Sequence, residues 1–305
     1  MFESKELVFY YAISPVHMGA GSSTGAVDLP IQREIHTGHP ILAGSGIKGA
    51  LRHDWSARGF DKSDGEAIFG PDSNASDHAG AVAFTDAQLV AFPVRSLRET
   101  FVYATSPSAL ARLKRMAGDK ASWSVPTIEQ GHFLIPSASL DRLTSGATTA
   151  DRRLVLESFE FTYVAADETA SIAKWLAEHV MPSSAEYAFF RGKLSKDLVV
   201  LNDGDFSHFA KNSTIVEPHV RIDDNTGTAK DGGLFYAENL PPESILAGQI
   251  LASVERRKGS STRASDVMLR LVNNAIDNRL VQIGGDATTG RGQVLIHLAQ
   301  EGALA

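Results

Sequence analysis

The chain has 305 residues, 43% of them hydrophobic and 21% charged, with a net charge of −7 at neutral pH, which suits a globular protein with a large core. No apolar run approaches the ~18 residues of a membrane span, and Glu3 and Glu6 stand where a secretory leader carries positive charge, so a cytoplasmic protein with no membrane partner is expected. The lack of cysteine excludes disulfides, thiol nucleophiles and cysteine-held zinc, leaving Asp, Glu, His, carbonyls or phosphates for any metal.

Lys5 to Ser14, rich in Val, Phe, Tyr and Ile, predicts a strand. From Pro15 to Pro40 there is no sustained period of 2 or 3.6. Structureless connections beyond about 12–15 residues are uncommon unless functional or disordered. Here Val27, Leu29, Ile31 and Ile35 are mixed with His17, Asp28, Arg33, His36 and His39, so an ordered working loop is expected. Gly44-Ser45-Gly46 leads into a helix with Ser45 as N-cap; Ile47, Leu51 and Trp55 share one face, and Lys48 and Arg52 the next. Gly59 to Gly80 reads as surface loop. Within it Asp72, Asn74 and Asp77 are spaced like calcium ligands, but the Gly and final Glu of a calcium loop are missing. Ala81 to Val94 predicts strand with a break near Asp86. Ser106 caps a short helix with Pro107 at its first position. Arg153 to Ala165 alternates as one strand, and Ser171 to Val180 is helical.

Further on, the fragments DLVVL and STIVEPHVRI read as strands, and a hairpin tip is expected near Asp224 to Gly233. Gly248 to Arg256 is strand. Ser265 to Asp277 is helix with Ser265 as N-cap. Ile283 to Gly292 is a Gly-rich loop between two strands. Strands and helices alternate loosely with hairpins, so the class is α+β. Charge is uneven: Glu255 to Arg270 holds five Lys/Arg against two acids. An acidic chain binds nucleic acid poorly alone, because phosphate neutralisation dominates affinity, yet it can carry local basic patches.

Four motifs could carry chemistry. Gly44 to Gly49 matches G-x-G-x-x-G but lacks the strong strand and distant acid of a dinucleotide site, and also fails the Walker pattern. It can still be a phosphate site at a helix N-terminus, assisted by Lys48, or simply a tight turn. Gly21 to Gly25 matches G-x-S-x-G, but Pro30 follows where a nucleophile elbow needs a helix. His17 and Asp28 bracket a Gly/Ser run and can be acid–base partners, or a turn cap and a backbone-bonded histidine. Gly284, Gly285, Gly290 and Gly292 imply positive φ and close backbone approach. They make either a hairpin turn or a phosphate cradle with Arg291 beside it.

In combination and order, PVHMGAGSSTGAVDLPIQREIHTGHPILAGSGIKGALR, FGPD with AGAVAFTDAQLVAFPVRS, RIDDNTGTAKDGGLFYAENLP and QIGGDATTGRG resemble the RAMP-superfamily backbone subunit of the Cmr (type III-B) CRISPR effector complex. The resemblance runs from about Leu7 to His297. It implies a single RAMP domain over 1–305: a ferredoxin-like (RRM-related) palm, the inserted loop 15–44 and a thumb-like hairpin at about 205–237. It implies copies stacked head to tail on a guide crRNA beside other Cmr subunits, cleaving single-stranded target RNA by its own 2′-hydroxyl with a divalent metal (Mg or Mn). Asp28 matches the family's catalytic aspartate and candidate metal ligand; His17 and Glu238 match positions near the scissile site. Gly44, Ser45, Lys48, Arg52, Arg221, Gly284, Gly285, Gly290, Arg291 and Gly292 fall on RNA-binding segments. A stack would let neighbouring acidic subunits share one basic groove. The alternatives are a purely structural RNA-binding subunit, whose Asp28 only caps the loop, and a stand-alone nucleotide enzyme using Gly44 to Gly49.

Overall fold

The computed structural model describes residues 2–72, 77–166 and 168–299; Asn74 lies outside them. Strand β1 (Ser4–Ala12) is buried from Leu7 onward. Residues 13–40 form only isolated bridges, and β2 is the two-residue Ile41–Leu42. Helix α1 (Gly44–Ala57) buries Ile47, Leu51 and Trp55, as their spacing predicts. Ser45 does not cap it. Ala43 holds the cap position, and Asp86 Oδ1 accepts from the Gly44 N–H at 2.7 Å, a carboxylate where the helix dipole favours one.

Residues 59–80 are not all loop. They contain α2 (Lys62–Phe69), capped by Asp61, which buries Ala67, Ile68 and Phe69. Gly65 read as loop, but it is the contact that lets α2 pack on α1: a Cβ there would lie 2.9 Å from the Trp55 indole nitrogen. Strands β3 (Val82–Phe84) and β4 (Ala87–Arg95) flank the break expected at Asp86. Then come β5 (Phe101–Thr105), α3 (Pro107–Ala117, capped by Ser106 as expected), β6 (His132–Leu134) and α4 (Leu140–Leu143). The single strand expected at 153–165 is a hairpin, β7 (Arg153–Leu156) and β8 (Phe159–Tyr163), turned at Glu157 with φ of +51°.

Helices α5 (Glu168–His179) and α6 (Ala188–Asp197) precede β9 (Leu198–Leu201). The expected hairpin span of 205–237 starts too early. Asn202 caps α7 (Asp203–Asn212), whose Phe206, Phe209 and Ala210 are buried at helical spacing. The hairpin proper is β10 (Ile215–Ile222) and β11 (Ala229–Asn239). Strand β12 (Ile245–Ala252) ends four residues before the Arg256 expected. Helix α8 (Ala264–Leu271) begins one residue before Ser265, which is not its cap, and runs on as a π-helical turn through Val272–Ile276. Strands β13 (Arg279–Gln282) and β14 (Gln293–Leu298) enclose the Gly-rich loop.

Twelve strands form one sheet with the path β13-β14-β1-β12-β4-β5-β9-β6-β8-β7, β2 and β3 pairing beside it. The neighbours β14-β1-β12-β4 are all antiparallel. With α1 between β1 and β4, and α8 between β12 and β14, this is the split β-α-β arrangement of an α+β fold. Both faces are covered. Val8, Tyr10 and Ala12 pack with α1, α2, α7 and α8, and Leu7, Phe9 and Tyr11 with α3, α5 and α6. A strand buried on both faces reads as a continuous apolar run, as β1 does. The β10–β11 ribbon stands apart from this sheet. No helix among the described residues is long and apolar enough to cross a membrane.

Candidate functional site

The working loop is ordered because it lies along the outer edge of β11. In an antiparallel pair, every second residue directs its backbone N–H and C=O away from the partner strand. Tyr236 and Glu238 are such residues; Pro218, which has no N–H to give, stands opposite Tyr236. All four outward groups are taken by the loop. Asp28 Oδ2 accepts from Tyr236 N–H at 2.7 Å, Leu29 N–H donates to Tyr236 O at 3.0 Å, and Glu238 N–H donates to Leu29 O at 2.9 Å. His17 Nδ1 meets Glu238 O at 2.7 Å. A carbonyl only accepts, so Nδ1 carries a proton, and in the neutral ring Nε2 keeps its lone pair. The structure thus brings Asp28 and His17 to one edge, anchored two residues apart.

Nε2 of His17 faces space kept open by glycine. A Cβ on Gly19 would sit 2.9 Å from it, and one on Gly285 would lie 3.5 Å from the ring. The closing loop covers the other side of His17: Gly285 N–H donates to His17 O at 2.8 Å, and Gly284, at φ of +89°, has no room for a side chain because its Cβ would meet that same oxygen at 2.4 Å. Gly292 N–H donates to Pro15 O at 2.8 Å, while Gly290, also at positive φ, faces open space. Arg291 points to Glu217 on β10 and pairs with it.

Glu238 is brought to the same strand but turned inward, 6% exposed. Its Oε2 accepts from Ile31 N–H at 3.0 Å, and its Oε1 from Arg33 at 2.5 Å and from Thr214 Oγ1 at 2.6 Å. Arg33 also donates to Gly38 O at 2.7 Å, Ala210 O at 3.0 Å and Lys211 O at 3.3 Å. The last two are carbonyls at the C-terminus of α7, where a cation suits the dipole. Sequence reasoning assigned Arg33 no role. Its one signal is that it is the sole Lys or Arg among residues 15–40. Tyr236, which contributes through its backbone, gives no such signal.

Gly44, Ser45, Lys48 and Arg52 form a second locality on α1. Gly44 is required by packing, since a Cβ there would meet Phe84 O at 2.2 Å. Its N–H is already used by Asp86, and Ser45 is exposed. Lys48 is half-buried, and burial, then the charges of Arg52 and Arg256, hold its ammonium below the usual lysine range. Arg52 pairs with Asp72 and donates to Gly70 O at 2.8 Å. Gly49, by contrast, is exposed with nothing near it, a bare spot on the helix beside Lys48. Arg221 is exposed far out on β10, at a bulge, and joins neither group.

A model of the RAMP superfamily matches residues 9–294. The chain belongs to the RAMP superfamily. This RAMP chain is 30% identical over 298 residues to the CRISPR system Cmr endoribonuclease Cmr4 of Pyrococcus furiosus, covering 96% of this chain and 95% of that one. It is 27% identical over 307 residues to the CRISPR system CMR subunit Cmr4 of Saccharolobus solfataricus, with 94% of each covered. Among solved structures, oligomeric Cmr4 from P. furiosus superposes with a TM-score of 0.72 at 24% identity, covering 98% of this chain and 99% of that one. A chain of the type III-B Cmr-beta complex bound to cognate target RNA gives 0.72 at 23% identity, with 98% of each covered. The fold is therefore shared over the matched 98% of the chain.

Proposed function

We propose that the chain is a guide-binding backbone subunit of a type III-B CRISPR ribonucleoprotein. In this reading it stacks on copies of itself beside other Cmr subunits in the cytoplasm and cleaves complementary single-stranded RNA at regular positions. The observation that carries the reading is the anchoring of Asp28 and His17 to Tyr236 and Glu238 on the outer edge of β11, at the root of a ribbon that stands apart from the main sheet. A phosphodiester splayed beside that ribbon would meet a carboxylate and a basic imidazole nitrogen together.

Attack by a 2′-hydroxyl needs its proton removed and its oxygen aligned with the departing 5′-oxygen. Asp28, with Oδ1 without a hydrogen-bond partner among the described residues, or His17 through Nε2, can take that proton. The product would carry a cyclic phosphate. Among the described residues no group of three or more His, Asp or Glu could hold a metal. A divalent ion at Asp28 would thus have fewer than three such protein ligands and take water and phosphate oxygens for the rest, a set that suits magnesium. Such an ion would neutralise charge building on the phosphate. Glu238, with both oxygens engaged inside, holds the loop rather than the proton. Lys48, Arg52 and the bare Gly49 suit a guide phosphate lying over α1, since glycine inside a helix costs about 1 kcal/mol relative to alanine and no internal contact here requires it.

The test assembles the full chain with guide RNA and its companion subunits on an end-labelled target. Regularly spaced cuts ending in cyclic phosphates, abolished by chelator, are expected. A target that is bound yet stays intact in magnesium and in manganese would leave the second reading, an RNA-binding subunit whose Asp28 only caps Tyr236 N–H.

A further inference from the structure

The ribbon that anchors Asp28 and His17 lies outside the main sheet, and an isolated two-stranded hairpin is marginal in water. Val220, Ile222 and Leu234 on its outer part are all exposed, so no apolar packing farther out fixes its angle. The angle must be set at the root. There, Val216 is opposite Glu238, and Glu217 is opposite Ala237. Successive strand residues face opposite sides, so the carboxylates of Glu217 and Glu238 leave the ribbon by opposite faces. Each meets an arginine from a different loop. Arg33 takes Glu238 on one face and is itself tied to Gly38 and the end of α7. Arg291, its side chain 13% exposed, takes Glu217 on the other. Its loop is closed at the base by Ile283 N–H on Gly292 O, between β13 and β14, and tied to the start of the working loop by Gly292 N–H on Pro15 O, both at 2.8 Å.

We propose that Arg33 and Arg291 are the two jaws of a clamp that sets the tilt of the β10–β11 ribbon and so positions the cleavage site. Both are positioning residues. They act through the ribbon, because Asp28 hangs on Tyr236 N–H and His17 on Glu238 O, and any rotation of the ribbon carries both groups together. The assignment rests on the cleavage reading above and adds to it what holds the site in register. The Arg291 jaw suits a direct test, because Glu217 lies at the protein surface while Arg291 Nε is buried without a hydrogen-bond partner.

The experiment compares Arg291→Glu, Glu217→Arg and the swapped pair, each as full chain assembled with guide RNA. Displacement of reacting groups by about 1 Å can cost on the order of 10²-fold in rate, so each single change should slow cutting by roughly that factor while target binding holds. Hydrogen exchange of residues 215–239 in the unassembled full chain should quicken. The swap should restore both slow exchange and cutting. On the other jaw, Arg33→Lys keeps the charge beside Glu238 but loses the fork to three carbonyls, and should slow cutting with binding intact. Wild-type cutting rates in the single variants would overturn the clamp, as would a swap that restores neither property. RNA binding that falls with Arg291→Glu and stays low in the swap would instead make Arg291 a phosphate contact. Should the wild-type complex bind target without cutting, the cleavage reading fails on its own; exchange then still decides whether these pairs hold the ribbon.

Discussion

Replacing Asp28 by Asn separates chemistry from architecture at this site. Four hydrogen bonds hold the segment around it: Ser23 N–H to Asp28 O at 2.8 Å, Leu29 N–H to Tyr236 O at 3.0 Å, Glu238 N–H to Leu29 O at 2.9 Å, and Tyr236 N–H to Asp28 Oδ2 at 2.7 Å. Only the last involves the carboxylate, and an amide oxygen can replace it. The structural loss is the difference between a charged and a neutral acceptor, about 1 kcal/mol. Losing a general base typically costs about 10²–10⁴-fold in rate, equivalent to about 3–5 kcal/mol of barrier. The chemical term therefore exceeds the structural one. Complexes assembled with wild-type, Asp28→Asn and Asp28→Ala subunits should all shift a labelled target equally in a gel. Single-turnover cutting in magnesium should fall at least about a hundredfold in both variants. The alanine comparison sharpens the result, because alanine also forfeits the Tyr236 bond. Near-normal cutting by the Asn variant with loss only in the Ala variant would refute the argument and leave Asp28 a cap.

Lys48→Ala should weaken guide binding whatever the RNA sequence and reduce the salt dependence by about one phosphate contact; filter-binding titrations over a salt series read both. Removing the tip between Asp223 and Thr228 should leave the isolated subunit folded, since these residues are exposed or half-buried and bonded mostly to one another, yet shift or blur the cut positions on a labelled target. Glu243, on a residue with φ of +69°, has its carboxyl pushed up by burial to about 7. Its folded pKa exceeds the ordinary 4.5, so the stability it contributes is complete below pH 4.5 and is lost as pH rises through 7. Glu243→Gln should therefore gain about 1–3 kcal/mol on wild type between pH 5 and pH 8, the lower figure allowing for water at its exposed side. Parallel denaturation curves across that range would count against it.

Much of the palm was legible because it depends on local periodicity. The apolar run of β1, the i, i+4 face of α1 and the Ser106-Pro107 start of α3 each follow from neighbours in sequence. Errors arose where a residue's role is set by something distant. Ser45 is a good cap by type, but Asp86, 42 residues beyond Gly44, supplies the carboxylate. Gly65 breaks helices in water, yet here the Trp55 ring requires it within one. The stretch 153–165 alternates without a break because both arms of a hairpin share the same period, and only the positive φ at Glu157 divides them.

The site divides in the same way. Asp28 and His17 stand out because a long aperiodic loop with few ionisable groups exposes each of them to view. What they rest on is hidden: backbone groups of Tyr236 and Glu238, more than 200 residues away, and a backbone group carries no sequence signal. Glu238 shows the consequence. As an acid that the family resemblance sets near the scissile site it reads as a participant in catalysis, but strand alternation turns its side chain inward while its carbonyl faces His17. One residue then serves two sites at once. Its carboxylate gathers Ile31, Arg33 and Thr214, and its main chain fixes the tautomer of His17. Glu238→Gln should leave the bond to His17 intact while leaving Arg33 without its buried anion. Breaking a buried pair by removing one partner is destabilising by about 3–5 kcal/mol, so such a variant should lose thermal stability before it loses the hydrogen bond that tunes the imidazole. The outer edge that carries Asp28 and His17 and the inner ion pair thus share one strand, the carboxylate of Glu238 serving stability and its carbonyl orienting the imidazole.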